Sequence, residues 1–258
     1  MRPSWQHYGT YDESAYPDLW DGVVGYWSPC LGPTGTRLHD VSRGNNWGTL
    51  TNMDAATDWV IDGGQYALDF DGVNDSVSAG NVPVLDAVLG LTLAVWYYPR
   101  VTVGLGAIVN QWRGTAGSYL FQSGTSLAWQ VGTLANTRLT VANVLTANRW
   151  HHIVAIKKPA FLELCVDGKS VGTAASAGDQ NSLAASFLIG GDNGGISVPN
   201  ALIGNVAAWS RGLTPNDAAR LYNLGRGGML ERRRRRRRVY VNQDTGNRRR
   251  RIICGAEC

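Results

Sequence analysis

A chain of 258 residues can hold one large domain plus extensions, with core enough to need no disulfide staples. Its 44 % hydrophobic content, 32 glycines and 10 tryptophans, against 17 % charged residues and 3 methionines, exclude a disordered chain and favour short strands and many turns over helices. The net charge of +4 hides an asymmetry: residues 231–258 carry eleven arginines against three acids, a net +8, and leave the remaining body at −4. No run of about 18 uncharged apolar residues occurs, and Met1–His7 lack the apolar core of a secretory leader, so the expectation is synthesis in a cytoplasm with no membrane partner.

Residues 1–20 carry Trp5, Tyr8, Tyr11, Tyr16 and Trp20 with Pro3 and Pro17 and no sustained period, which predicts an extended N-terminal arm. Strand character begins after Asp21 with Gly22–Trp27, and the polar turn Ser42–Asn46 leads into Trp47–Leu50. From Tyr66 to Ser78 two alternating runs are split by Asp71-Gly72, a turn pair that predicts a β-hairpin. Leu91–Pro99 alternates apolar and small residues before a terminating proline, and Ala107–Trp112 with Tyr119–Gly124 predicts a strand pair followed by Leu127–Val131. In Asn148–Ile156 the alternation sends one of His151 and His152 inward and the other outward. Leu162–Lys169 predicts a second hairpin, and Phe187–Gly191 and Ala201–Trp209 predict further strands. Thr214 as N-cap with Pro215 at the first helical position starts a short helix that runs to Tyr222. Strands spaced by turn signals, without a βαβ rhythm, give an all-β, two-sheet antiparallel sandwich.

The ordered set Gly25-Tyr26-Trp27, Asp40–Asn46 before Gly48-Thr49-Leu50, Ala67–Asp75, Leu91–Pro99, Trp150–Ala155, Leu162–Gly168 and Ala201–Trp209 resembles the laminin-G-like, concanavalin A-like jelly-roll family over about residues 22–224. The resemblance implies a jelly-roll domain over 21–230 with one short C-terminal helix, flanked by an extended arm at 1–20 and an arginine-rich arm at 231–258. Together with the arginine-rich tail, the stretch from Asp40 to Val60 is similar to laminin-G-like proteins encoded by tailed bacteriophages, which implies a virion component made in a host cytoplasm.

Some members of such folds are glycosidases, which need two carboxylates about 5–9.5 Å apart. Of the four glutamates, Glu13, Glu231 and Glu257 fall in the extensions, Glu163 stands alone in a strand, and no Glu-x-Asp-x-Glu strand is present. There is no Gly-x-Ser-x-Gly elbow, and His7 and His39 have no evident acid or nucleophile partner, so no catalytic residue is assigned and a non-enzyme is expected. The resemblance implies calcium or sugar binding by rim loops, with Asp71, Asn74, Asp75, Asp192 and Asn193 as candidates. Asp and Asn are also ordinary turn residues. Gly204-Asn205 stands where the family often has an Asp-Glu pair, so no cofactor is expected and calcium is the alternative. Trp112, Trp129 and Tyr119 are the aromatics from which a glycan platform would be built. Cys30 and Cys165 read as inert buried thiols; Cys254 and Cys258, four apart at the chain end with no histidine nearby, read as free thiols or intermolecular disulfides rather than a zinc site.

The tail presents Arg232, Arg233, Arg234, Arg235, Arg236, Arg237 and Arg238, then Tyr240 between two valines, then Arg248, Arg249, Arg250 and Arg251. Arginine clusters meet phosphates and carboxylates through bidentate hydrogen bonds, so the expected partner is an acidic neighbour in a homo-oligomeric assembly, such as the major capsid protein, or nucleic acid. The leading expectation is a capsid decoration or cement subunit anchored by its arms. The alternative is a carbohydrate-binding adhesin on the phage tail or capsid surface.

Overall fold

The computed structural model describes residues 15–82, 85, 89–113, 116–133, 138–176, 185–192 and 197–230. Among the described residues sixteen strands, numbered in chain order, form two eight-stranded sheets whose pairings are all antiparallel; burial alternates in edge strands such as Gly48–Thr51, whereas central strands such as His151–Lys157 are buried throughout. The first sheet holds β1 (Val23–Trp27), β4 (Trp59–Asp62), β5 (Gln65–Asp71), β7 (Leu91–Pro99), β12 (His151–Lys157), β13 (Phe161–Val166), β14 (Lys169–Ala175) and β16 (Asn200–Trp209), ordered β14-β13-β12-β7-β16-β5-β4 with β1 beside β16. The second holds β2 (Arg37–Leu38), β3 (Gly48–Thr51), β6 (Ser76–Asn81), β8 (Leu105–Arg113), β9 (Ala116–Ser123), β10 (Ser126–Thr133), β11 (Arg138–Val141) and β15 (Ser186–Ile189), ordered β11-β10-β9-β8-β15-β6-β3-β2. This is the expected jelly-roll sandwich, and its inner faces bury Trp27, Leu68, Phe70, Val77, Leu93, Val95, Trp129 and Ile153 in one continuous core.

The outer face of the first sheet is covered as well. Helix α1 (Pro17–Trp20) and helix α2 (Pro215–Asn223), with the chain to Leu230, close a second apolar cluster over Tyr26, Ala94, Val154, Ile156, Ala207 and Trp209. The Trp209 indole N–H donates to Leu19 O at 2.7 Å, and Arg220 of α2 pairs with Asp18. Helix α2 begins as its sequence predicts: Thr214 Oγ1 accepts from the Asp217 N–H at 3.1 Å while Asp217 Oδ2 accepts from the Thr214 N–H at 3.0 Å, a reciprocal cap. Among the described residues no helix is long and apolar enough to cross a membrane.

Three expectations change. Tyr66–Ser78 is not a hairpin, because β5 lies in the first sheet and β6 in the second, and the Gly72–Asp75 turn carries the chain across the sandwich. Leu68, Phe70 and Val77 still share one core, so the alternation is satisfied by facing sheets as well as by paired strands, while Val73 is 67 % exposed. Residues 17–20, expected in an extended arm, form a packed helical turn with Leu19 and Trp20 buried; residues 1–14 and 231–258 lie outside the described residues. His151 and His152 are both buried, since the outward-facing His152 is covered by the rings of Trp96 and Tyr222 at 4.9 and 6.2 Å.

Phe70 fixes the spacing of the two sheets at this end. Gly190, at φ 73°, approaches so closely that a Cβ there would fall 2.0 Å from the Phe70 ring. Gly190→Ala is therefore expected to cost about 2–4 kcal/mol from overpacking and left-handed strain together, read as a lower urea midpoint at unchanged slope. An unchanged midpoint would show that the ring has room to move.

Candidate functional site

At the end of the sandwich where β5 and β7 finish and β16 begins lies a pocket of about 230 Å³. It is lined by Asp71, Gly72, Val101, Val103, Leu105, Gly106, Gln122, Val198, Pro199 and Asn200. Pro99 ends β7, and the following Val101-Thr102-Val103-Gly104 turn holds apolar side chains away from the core, leaving Val101, Val103 and Leu105 41, 74 and 58 % exposed. The opposite wall is the segment before β16, fixed to β8 by the Ala107 N–H donating to Ser197 O at 2.8 Å. Gly72 at φ 84° lets the two walls close, since a Cβ there would meet the Asn200 Cβ at 3.0 Å.

Polar groups at the pocket are pinned. The buried Gln122 accepts from the Tyr97 hydroxyl at 2.6 Å and donates from Nε2 to Val101 O at 2.8 Å, tying the valine turn to β9. Arg100 makes a two-pronged ion pair with Asp69, and Asn200 Oδ1 lies 3.4 Å from the same guanidinium. Asp71 Oδ1 accepts from the Val73 N–H at 2.7 Å, and the buried Asp75 accepts from the Asp71 N–H at 2.9 Å, so these two carboxylates build the turn. Burial pushes the Asp75 carboxyl above the usual range, and the charges of Asp71 and Asp58 add to it against the opposing hydrogen bond from Asp71.

Of the expected rim residues that are described, Asp71 alone lines the pocket. Asn74 is exposed on the same turn, where its carbonyl accepts from Asn52 Nδ2 at 2.9 Å. Asp75 is buried behind the turn, and Asp192 is not in the pocket lining. Asn193 lies outside the described residues, as do Tyr240, Cys254, Cys258 and the tail arginines. Among the described residues no three His, Cys, Asp or Glu side chains are placed to hold one metal ion. Trp129 is buried in the inter-sheet core while Trp112 and Tyr119 are half-buried, so these three do not form a shared platform. Cys30 and Cys165 are free, buried thiols, each pushed up to about 12 by burial, which disfavours the reactive thiolate.

Among the described residues Asp71 is the one acid in the pocket lining, so no pair of carboxylates is seen there. Glu163 is buried in β13 and accepts from Ser170 Oγ at 2.6 Å. In the Arg149, His151 and Asp167 group, His151 Nδ1 is 3.4 Å from Asp167 and its Nε2 accepts from the Thr146 N–H at 3.0 Å, which is a structural arrangement of a strand start. Sequence reasoning missed Val101, Val103, Leu105, Gln122, Val198, Pro199 and Asn200. The available signal was Val101, Val103 and Leu105 alternating just past the strand-ending Pro99.

Known proteins share this architecture. The binding domain of Paraclostridial Mosquitocidal Protein 1 matches with a TM-score of 0.60 at 15 % identity, over 80 % of this chain and 53 % of that one. The botulinum neurotoxin serotype D binding domain matches with a TM-score of 0.62 at 11 % identity, over 81 % of this chain and 52 % of that one. The binding domain of botulinum neurotoxin DC in complex with SialylT gives 0.60 at 11 % identity, over 80 and 52 %. This chain thus spans about half the length of these structures, and identities this low show the fold alone. No curated protein matches the sequence. The laminin-G family model matches residues 71–219, from the turn that walls the pocket to the helix over the outer face, and with more than half of its length so matched the chain belongs to the concanavalin A-like lectin/glucanases superfamily.

Proposed function

We propose that the chain is a non-catalytic binding module whose rim pocket takes a surface glycan. The observation that carries this is the pocket itself: a concave site whose walls keep Val101, Val103 and Leu105 exposed around fixed polar groups. Exposed apolar groups rimmed by polar residues mark interaction surfaces. At about 230 Å³ it is smaller than the about 300–1,000 Å³ of drug-sized sites, a size for one ring rather than an extended ligand. Valine and proline walls suit the apolar face of a sugar ring, and Asp71 and Asn200 offer an acceptor and an amide to its hydroxyls. The botulinum neurotoxin DC binding domain, about half of whose length shares this fold, has been solved in complex with SialylT and with rat synaptotagmin II, which is in keeping with a binding role.

A glycan array run with and without EDTA tests this reading. Binding that survives EDTA is expected, because the carboxylates of Asp71 and Asp75 are engaged by the turn's own N–H groups. Loss in EDTA would place calcium at the rim, and no binding in either condition sinks the glycan assignment.

The charge asymmetry favours a second reading, a virion decoration or cement subunit whose arms hold neighbouring subunits, since a +8 tail is drawn to acidic surfaces such as the −4 body of a neighbouring copy. Limited proteolysis of isolated protein and intact particles is the check. Arms protected only in particles are expected, and arms equally cleavable in both would remove this reading.

A further inference from the structure

We infer that the rim pocket selects its sugar by charge: it takes a ring that carries a protonated amino group, laid on the valine wall with its ammonium on Asp71, in preference to the neutral ring, and rejects the acidic one. This rests on the reading that the pocket binds a glycan, and it names the class of glycan.

Three observations converge. Among the described lining residues Asp71 alone is charged, while Val101, Val103, Leu105, Val198 and Pro199 are apolar. Negative charge at this turn is also left uncompensated. Arg100 is taken by Asp69 in its two-pronged pair, and among the described residues none of Asp54, Asp58, Asp71 and Asp75 has an ion-pair partner. None of the residues between 83 and 196 that lie outside the described set is a lysine or arginine. The field is felt at Asp75, whose carboxyl burial raises first and the charges of Asp71 and Asp58 raise further. Among the described residues no three His, Cys, Asp or Glu groups converge on a metal, so a cationic group on the ligand is what suits the turn.

The third observation is the placing of the polar groups. Asp71 and Asn200 are direct partners across β5 and β16, a relation that sets their Cβ atoms about 4.5–5.5 Å apart. The Val73 N–H holds Asp71 Oδ1 at 2.7 Å, so the carboxylate is oriented before a ligand arrives. Asn200 Oδ1 is turned toward Arg100 at 3.4 Å, which leaves its amide nitrogen as a donor. An acceptor for an ammonium therefore stands beside a donor for a hydroxyl, as neighbouring amino and hydroxyl groups on one ring require, and the valine wall takes the C–H face of that ring. A sugar carboxylate would instead meet like charge with no cation to relieve it. Ion pairs at an open rim are modest, so the preference for the amine is about fivefold and fades with salt.

The test titrates the full chain by saturation-transfer NMR with the methyl glycosides of the 2-amino sugar, the neutral hexose and the uronic acid, in both gluco and galacto configuration, in low and in high salt at about pH 6, where an amino group carries its proton. The amino sugar is expected to bind about fivefold more tightly than the neutral one and the uronic acid not to bind. High salt and Asp71→Asn should each abolish that preference; the asparagine keeps the oxygen that the Val73 N–H needs, and an unchanged thermal melt confirms that the turn is intact. Free lysine, an ammonium without a ring, should not compete. A neutral or acidic sugar bound as tightly as the amine, a preference that survives Asp71→Asn, or equal competition by lysine overturns the charge selection and leaves the glycan reading standing. Failure of every sugar to bind removes both.

Discussion

The double substitution Val103→Asp with Leu105→Asp is expected to weaken ligand capture by about 100-fold while leaving stability within about 0.5 kcal/mol. Both side chains are more than half exposed, so the folded protein loses little packing when they change. A bound ligand would cover them, and the lost apolar burial is about 1–2 kcal/mol for each at about 25 cal/mol per Å². Each new carboxylate would also be pressed against Val101, Val198 and Pro199, which carries a desolvation cost of its own. Titration calorimetry against a glycan that the array identifies, beside a thermal melt, reads both quantities. Unchanged affinity at unchanged melting would move the binding surface away from this rim. Gln122→Leu is the contrasting case. It leaves the Tyr97 hydroxyl and the Val101 carbonyl without their partners, so a stability loss of about 1–3 kcal/mol is expected together with a loosened valine turn.

The difference between those variants follows from what period-two alternation can encode. Leu91–Pro99 and Ala201–Trp209 were legible as strands because their side chains face a core on one side and a second apolar cluster on the other. The pattern in Ala67–Val77 reports only that Leu68, Phe70 and Val77 point into one interior. A hairpin and a crossing between sheets both satisfy it, and the four-residue turn held by Asp71 and Asp75 selects the crossing. The same turn explains why acidic residues misled as ligands. Asp75 is engaged by a backbone N–H, and of the described acids only Asp71 is in the pocket lining. The walls come from positions 71–72, 101–106, 122 and 198–200, which no local pattern links; they meet because β16 pairs with both β5 and β7. The burial of His152 was hidden for a related reason: its cover, Tyr222, comes from a helix seventy residues downstream.

That buried imidazole makes stability depend on acidity in a defined window. Burial holds His152 neutral and lowers its pKa from the ordinary 6.5 to about 4, with the nearby Asp167 charge opposing the change incompletely. Between these values the unfolded chain takes up a proton that the folded protein refuses, so stability falls as pH drops from 6.5 toward 4 and the loss is complete below the lower value. At about 1.4 kcal/mol for each pH unit between the two values, the loss is about 3 kcal/mol, enough to matter for a domain of marginal stability. Asp167 does not blur this window. Its carboxyl is also lowered, since the hydrogen bonds and charges of His151, His152 and Arg149 outweigh its burial, but a depressed carboxylate loses its stabilising effect only as pH falls below its ordinary value of 3.8. His39 is lowered in the same direction by partial burial and is left in place by the control. The control is His152→Phe, which keeps a flat ring between Trp96 and Tyr222 and removes the titrating nitrogen. Urea midpoints measured from pH 7 to pH 4 should fall steeply for the native chain and much less for the variant, in which the smaller His39 loss is opposed by Asp75, whose raised carboxyl takes up its proton first in the folded protein. Equal slopes for the two would place the acid sensitivity elsewhere and would mean that His152 reaches solvent when protonated.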